Sequence, residues 1–181
     1  GSDKKELFDV NRKADGSVLI TVYKLTKEGE PSKKMYERQF NPSVTKEIRL
    51  YGLGGDDQFL IHGEGNKIKI RVIGGNGNDA VENKAAGKTI VYDWMAEENS
   101  FAGTGRTVRK LSNDALVNKY ERLYYKYNQW IPTVSVNFNP DDGIYLGASV
   151  KHVAHGFRKT PYAMMHQLTV NHSLSTQAYN I

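Results

Sequence analysis

Asp57 and Asp79 are the residues whose type and spacing could do chemistry. They stand 22 residues apart, closing the runs Gly52-Leu53-Gly54-Gly55-Asp56-Asp57 and Gly74-Gly75-Asn76-Gly77-Asn78-Asp79. Under the same shift Ile48-Arg49 falls on Ile70-Arg71, Phe59 on Val81 and Gly65 on Gly87. One offset that aligns apolar positions, turn glycines and an aspartate marks stacked rungs, none of which can bury its apolar face alone. The two glycine turns should then lie one strand spacing apart, roughly 4.8 Å. Asp57 and Asp79 would flank a pocket lined by backbone carbonyls, with Gly55, Gly77, Asn76 and Asn78 around it. Such a donor set suits a hard cation, Ca²⁺ above all. The same carboxylates also suit capping of their own turns with no metal at all. The sequence leaves both readings open.

The elements that position these turns are strands. Ile48-Arg49-Leu50 and Ile68-Lys69-Ile70-Arg71-Val72 alternate aliphatic residues with cations, as half-buried strands require. A second short strand follows each turn, Phe59 to Ile61 or Ala80 to Glu82. Carried forward one more period, the register meets Ala96, Asn99 and Phe101 in place of glycine, glycine and aspartate. The repeat is therefore expected to stop there, with Ile90 to Trp94 as a capping strand. Upstream, Leu7 to Arg12, Ser17 to Leu25 and Lys33 to Phe40 predict a β-meander, its first hairpin turning at Ala14-Asp15-Gly16. Asp114 to Tyr127 fits a helix (Leu116, Tyr120, Leu123 and Tyr127 keep helical spacing) and an extended tyrosine-rich linker equally well. From Thr133 onward, strands of about ten residues alternate apolar with small or polar side chains. That pattern suits a transmembrane β-barrel and a soluble antiparallel sheet alike. The expected class is all-β: a meander over 1–45, a two-to-three-rung solenoid-like repeat domain over 46–112, a linker or short helix over 113–132, and antiparallel strands over 133–181.

Other chemistries find little support. There is no cysteine, so thiolate catalysis, thiolate metal sites and disulfides are excluded. The net charge of +5 is spread along the chain, with 9 Lys and Arg against 7 Asp and Glu in 1–45, 10 against 9 in 46–112 and 6 against 4 in 113–181. No basic block exists to grip a phosphate backbone, which argues against nucleic acid. His152, His155, His166 and His172 lack an accompanying carboxylate cluster and read as surface residues. No nucleophile elbow, Walker or Rossmann pattern occurs, so no catalytic residue is expected. No apolar run is long enough for a transmembrane helix. Gly1-Ser2 reads as a cloning remnant and Ile181 falls inside a strand-like pattern, so the chain is expected to be a piece of a longer protein.

Two resemblances sharpen these expectations. The second turn, Gly74 to Glu82, matches every fixed position of the calcium-binding nonapeptide, and the first departs from it at Leu53. This stretch resembles the haemolysin-type (RTX) repeat family over about two units. Pro132-Thr133-Val134 through Asn139-Pro140-Asp141-Asp142-Gly143-Ile144-Tyr145-Leu146-Gly147, with Gly156-Phe157-Arg158-Lys159-Thr160-Pro161-Tyr162 after it, resembles the opening of an Omp85-like (BamA/TamA, bacterial surface antigen) outer-membrane barrel. A glycine-aspartate repeat just ahead of such a barrel is similar to Bacteroidetes proteins that fuse a calcineurin-like metallophosphoesterase to it. The metal motifs of that phosphoesterase are not in this chain. The resemblance implies a non-catalytic scaffold or interaction domain in the cell envelope, at the outer membrane, with bound calcium. Its partners would be the membrane, a neighbouring domain of the same polypeptide, and other copies through open sheet edges. A soluble calcium-dependent adhesin or carbohydrate-binding module is the alternative, and a basic nucleic-acid-binding β-domain a more distant one.

Overall fold

Alternation is realised as strands almost throughout. In the computed structural model, which describes residues 1–181, the chain divides into two units, Gly1–Tyr120 and Glu121–Ile181. The first holds β1 (Glu6–Arg12), β2 (Val18–Leu25), β3 (Pro31–Phe40), β4 (Glu47–Gly54), β5 (Gln58–Gly63), β6 (Lys69–Asn76), β7 (Ala80–Asn83), β8 (Thr89–Trp94), β9 (Ser100–Ala102), β10 (Thr107–Ser112) and the single helical turn α1 (Ala115–Asn118). Asp114 caps α1 by accepting from Leu116 N–H at 2.9 Å, and Lys119, in extended conformation, ends it.

The unit is a short parallel β-solenoid. One sheet runs β10-β8-β6-β4 and the other β3-β2-β1-β5-β7-β9, so each rung gives one strand to each sheet. Ile48 pairs with Ile70 and Phe59 with Val81, the 22-residue register expected from the sequence. The stack does not stop at the second copy. Val72 pairs with Val91 and Ala80 with Ser100, so the third rung continues at separations of 19 and 20. Ile90 to Trp94 therefore lies in the interior strand β8, flanked by β6 and β10, and is not the expected cap. A shortened crossing between the sheets preserves the stacking while destroying the 22-residue register.

The inward faces supply the core. Ile48, Leu50, Ile70, Val72 and Val91 from one sheet meet Phe8, Val10, Phe59, Ile61 and Val81 from the other, with Phe8 and Phe59 stacked at 4.6 Å. Each such side chain contributes about 1.5–3 kcal/mol on burial. The meander joins this core directly, because β1 pairs parallel to β5 (Leu7 with Gln58) and carries β2 and β3 as an antiparallel extension of the same sheet. Arg12, at the end of β1, is buried and donates to the carbonyls of Ile68 and Lys88, each at 3.0 Å.

The second unit is an antiparallel sheet in the order β11 (Gln129–Asn139), β12 (Gly143–Ala154), β13 (Met164–Ser173) and β14 (Tyr179–Asn180).

Candidate functional site

Rung stacking places the glycine turns above one another, and the aspartates join them. Asp57 Oδ1 accepts from Glu6 N–H at 2.8 Å, Asp79 Oδ1 from Asp57 N–H at 2.8 Å, and Asn99 Oδ1 from Asp79 N–H at 2.7 Å. Each side chain thus caps a backbone donor of the rung before it, not of its own turn. A second, more exposed ladder runs the other way: Asn78 N–H donates to Asp56 Oδ1 at 3.1 Å and Glu98 N–H to Asn78 Oδ1 at 3.0 Å. The two ladders hold the turns in register where no β-pairing is available.

The first ladder uses only one oxygen of each carboxylate. The Oδ2 atoms of Asp57, Asp79 and Asp93 are all buried without a hydrogen-bond partner, and all three residues are 1% exposed or less. Glycine makes room for them. A methyl group on Gly52 would collide with Asp57 Oδ2 and the Gly74 carbonyl oxygen, and one on Gly74 with both Asp79 Oδ2 and Asp93 Oδ2. Asp93 comes from β8, one position beyond the Ile73–Tyr92 pair, so it occupies in the third rung the place that Gly74 holds in the second.

Three interior carboxylates so close resist ionisation. Burial, reinforced by the charges of Asp79 and Glu6, raises the Asp57 pKa to about 8 against the opposing hydrogen bond from Glu6 N–H. Burial together with Glu97 and Asp56 raises Asp79 to about 7. Burial together with Asp79 and Glu97 raises Asp93 to about 8. Without a compensating cation Asp57 and Asp93 stay mostly protonated at neutrality, while Asp79 titrates there.

Of the six residues singled out from the sequence, Asp57 and Asp79 converge on this interior line. Gly55 and Gly77 lie in the turns with positive φ, and Gly55 N–H donates to Asn76 carbonyl at 2.8 Å. The side chains of Asn76 and Asn78 point elsewhere, Asn76 Oδ1 accepting from Trp94 Nε1 at 2.9 Å and Asn78 Oδ1 from Glu98. Asp93, Glu97, Asn99 and Glu6 were not singled out. A two-residue contraction of the register, setting Asn99 under Asp79, was the available signal. The donors match a hard cation in kind, being carboxylate and carbonyl oxygens. No group of three or more His, Cys, Asp or Glu side chains is arranged to hold a metal by itself, so carbonyls would have to complete any coordination.

The second unit has a different chemistry. Its pairing stacks Val134, Ala148 and Val170 in one row, Pro132, Val150 and Leu168 in the next, and Val136, Leu146 and His172 in a third, all on one face. The other face carries Thr133, Ser149 and Thr169, then Ser135, Gly147 and Asn171. The apolar face is bare: Val134 is 85% exposed, Val136 71% and Phe138 70%. His152 and His166 pair across strands at one end of it, His152 stacking on Trp130 at 4.3 Å. His172 stacks on Tyr179 at 4.5 Å.

No family model, curated protein or solved structure matches this chain. Function must therefore be argued from the interior acids and the bare face themselves.

Proposed function

We propose that the chain is a non-catalytic β-scaffold of the cell envelope. In this reading the second unit supplies the first strands of an outer-membrane barrel, and the solenoid forms a rigid platform joined to it in sequence. The carrying observation is the segregation of the second unit's two faces, apolar and bare on one side, small and polar on the other. A soluble sheet turns its apolar face to a core, whereas a barrel strand turns it to lipid. The dimensions agree. Trp130 to Phe138 spans eight residue steps in β11, which is ~27 Å along an antiparallel strand at ~3.4 Å per residue. Barrel tilt of ~40° reduces this to ~21 Å, close to the ~25 Å apolar band of such proteins. Trp130 at one end, with Phe138 and Tyr179 towards the other, resembles the interfacial aromatic girdles of membrane barrels.

Calcium belongs to the same proposal. Asp79 and Asp93, whose unused Oδ2 atoms both face Gly74, would share the ion with backbone carbonyls, and the ion would supply the charge compensation that burial denies them. The adhesin alternative draws on the same carboxylates but leaves the bare face of the second unit without a purpose.

Flotation with lipid vesicles tests the membrane half. The native chain should float with vesicles, Val134→Arg should abolish flotation, and Ser135→Arg should leave it intact. Equal loss with both substitutions, or no flotation of the native chain, would overturn it.

A further inference from the structure

Charge that is spread evenly along the sequence is gathered by the stacking of rungs. Lys46 precedes β4, Lys67 and Lys69 stand at the start of β6, and Lys88 precedes β8. Neighbouring strands lie roughly 4.8 Å apart, so these sequence-distant lysines meet at the end of the solenoid where the strands of this sheet begin. Lys69, Lys88 and Arg106 each stand one position before the paired residues Ile70, Thr89 and Thr107, which sets them in one column. All three side chains are exposed, while Ile70 and Thr89 turn into the core.

A recess of about 290 Å³ opens among them, lined by Lys46, Lys67, Lys69, Lys88 and Ile90, with no acidic side chain in its wall. Ile90 lies outside the core cluster yet is only 8% exposed. Long cationic side chains cover such a residue with their methylene stems and carry their charge at the rim. The protein supplies these cations with little counter-charge. Lys46 Nζ donates to the Pro42 carbonyl at 2.7 Å and Lys67 Nζ to the Asp15 carbonyl at 3.2 Å, both neutral acceptors. The Asp15 carboxylate itself accepts from Ser17. Glu47 lies 3.8 Å from Lys69 Nζ, but Arg49 and Arg71 engage it more closely, at 2.7 and 3.1 Å. We propose that the recess is a binding site for a compact ligand carrying two phosphate groups. A phosphate monoester holds about −1.5 to −2 charges at pH 7, so two of them match four lysines and one leaves half the charge unmatched. The volume falls at the small end of ligand sites (~300–1,000 Å³), which suits a phosphorylated solute or lipid headgroup. No aromatic ring lines it, so a nucleic-acid base finds no stacking platform there.

The probe is pyrophosphate, the smallest ion with two phosphate groups, titrated into the full chain and followed by amide chemical shifts. It should shift Ile68, Lys69 and Lys88 saturably and bind at least about tenfold more tightly than orthophosphate. Replacing Lys69→Gln and Lys88→Gln together should weaken it at least about tenfold. Replacing Lys27→Gln and Lys33→Gln, exposed lysines elsewhere, removes the same net charge and should change it less than about twofold. Equal loss from both pairs, parity with orthophosphate, or no saturable shift at about 1 mM pyrophosphate overturns the proposal. A lipid arm separates the two sources, using Val134→Arg so that the second unit's apolar face does not contribute. Flotation of that variant with phosphatidylcholine vesicles containing phosphatidylinositol bisphosphate, and not with phosphatidylcholine alone, supports the site with a lipid headgroup as ligand. Pyrophosphate binding without such flotation supports it with a soluble one. The pyrophosphate readouts involve neither lipid nor calcium, so they succeed or fail independently of the membrane reading.

Discussion

Replacing Asp79 with asparagine removes a charge and little else. The variant keeps an acceptor oxygen for Asp57 N–H, as Asn99 does for Asp79 one rung on. Its amide nitrogen stands in for Oδ2, near the partnerless Asp93 Oδ2. Native Asp79 is held at about 7 rather than its ordinary 3.8, chiefly by burial. Below about pH 4 it is protonated in both folded and unfolded chains, and the stability it contributes is fully present. Between 4 and 7 the unfolded chain sheds the proton while the folded one keeps it, so stability falls with rising pH until the loss is complete above 7. Ionising such an acid inside the fold costs on the order of 4 kcal/mol. At pH 8 in chelator, Asp79→Asn should therefore be more stable than the native chain by roughly 2–4 kcal/mol, a rise in Tm of roughly 6–15 °C. At pH 4 the two should melt together. Millimolar Ca²⁺ at pH 8 should raise the native Tm by mass action and leave the variant unmoved. Calorimetry at the two pH values, with and without calcium, reads all of this. A variant less stable than the native chain at pH 8 in chelator would refute the account of the interior acids.

Three further substitutions probe the rungs by thermal or urea unfolding. Leu53 has φ of 82° where the next rung has Gly75 at 114°, so Leu53→Gly should stabilise by about 1 kcal/mol; a loss would mean that leucine packing outweighs strain. Gly74→Ala sets a methyl group against Asp79 and Asp93 and should cost about 3 kcal/mol or more, whereas a neutral outcome would deny the close approach. Arg12→Ala removes the donors to Ile68 and Lys88 and should cost about 3 kcal/mol, and unchanged stability would show those bonds to be dispensable.

Most of the fold was legible because its signals are local. Alternation over Ile48–Leu50 and Ile68–Val72 gave the strands, and glycines at a fixed offset gave the stacking of Asp57 on Asp79. The third rung was hidden because its register shortens from 22 to 20 and 19, which backbone pairing tolerates and a fixed offset does not. That is why Ile90–Trp94 read as a cap and why Asp93 and Asn99 went unmarked. The direction of the aspartate hydrogen bonds was illegible too. An Asx-turn and a rung-to-rung cap use the same residue at the same place, and only the packing of neighbours chooses between them. In the second unit the alternation was plain, but whether its apolar side is covered depends on partners that periodicity does not encode.

The absence of cysteine allows the membrane claim to be tested directly, with one label per molecule. Val134→Cys, Ser135→Cys, Val136→Cys and Asn137→Cys, each carrying an environment-sensitive fluorophore, would be mixed with vesicles whose acyl chains bear a nitroxide quencher. The account predicts strong quenching at 134 and 136 and weak quenching at 135 and 137. Equal quenching at all four positions, or none, would contradict it.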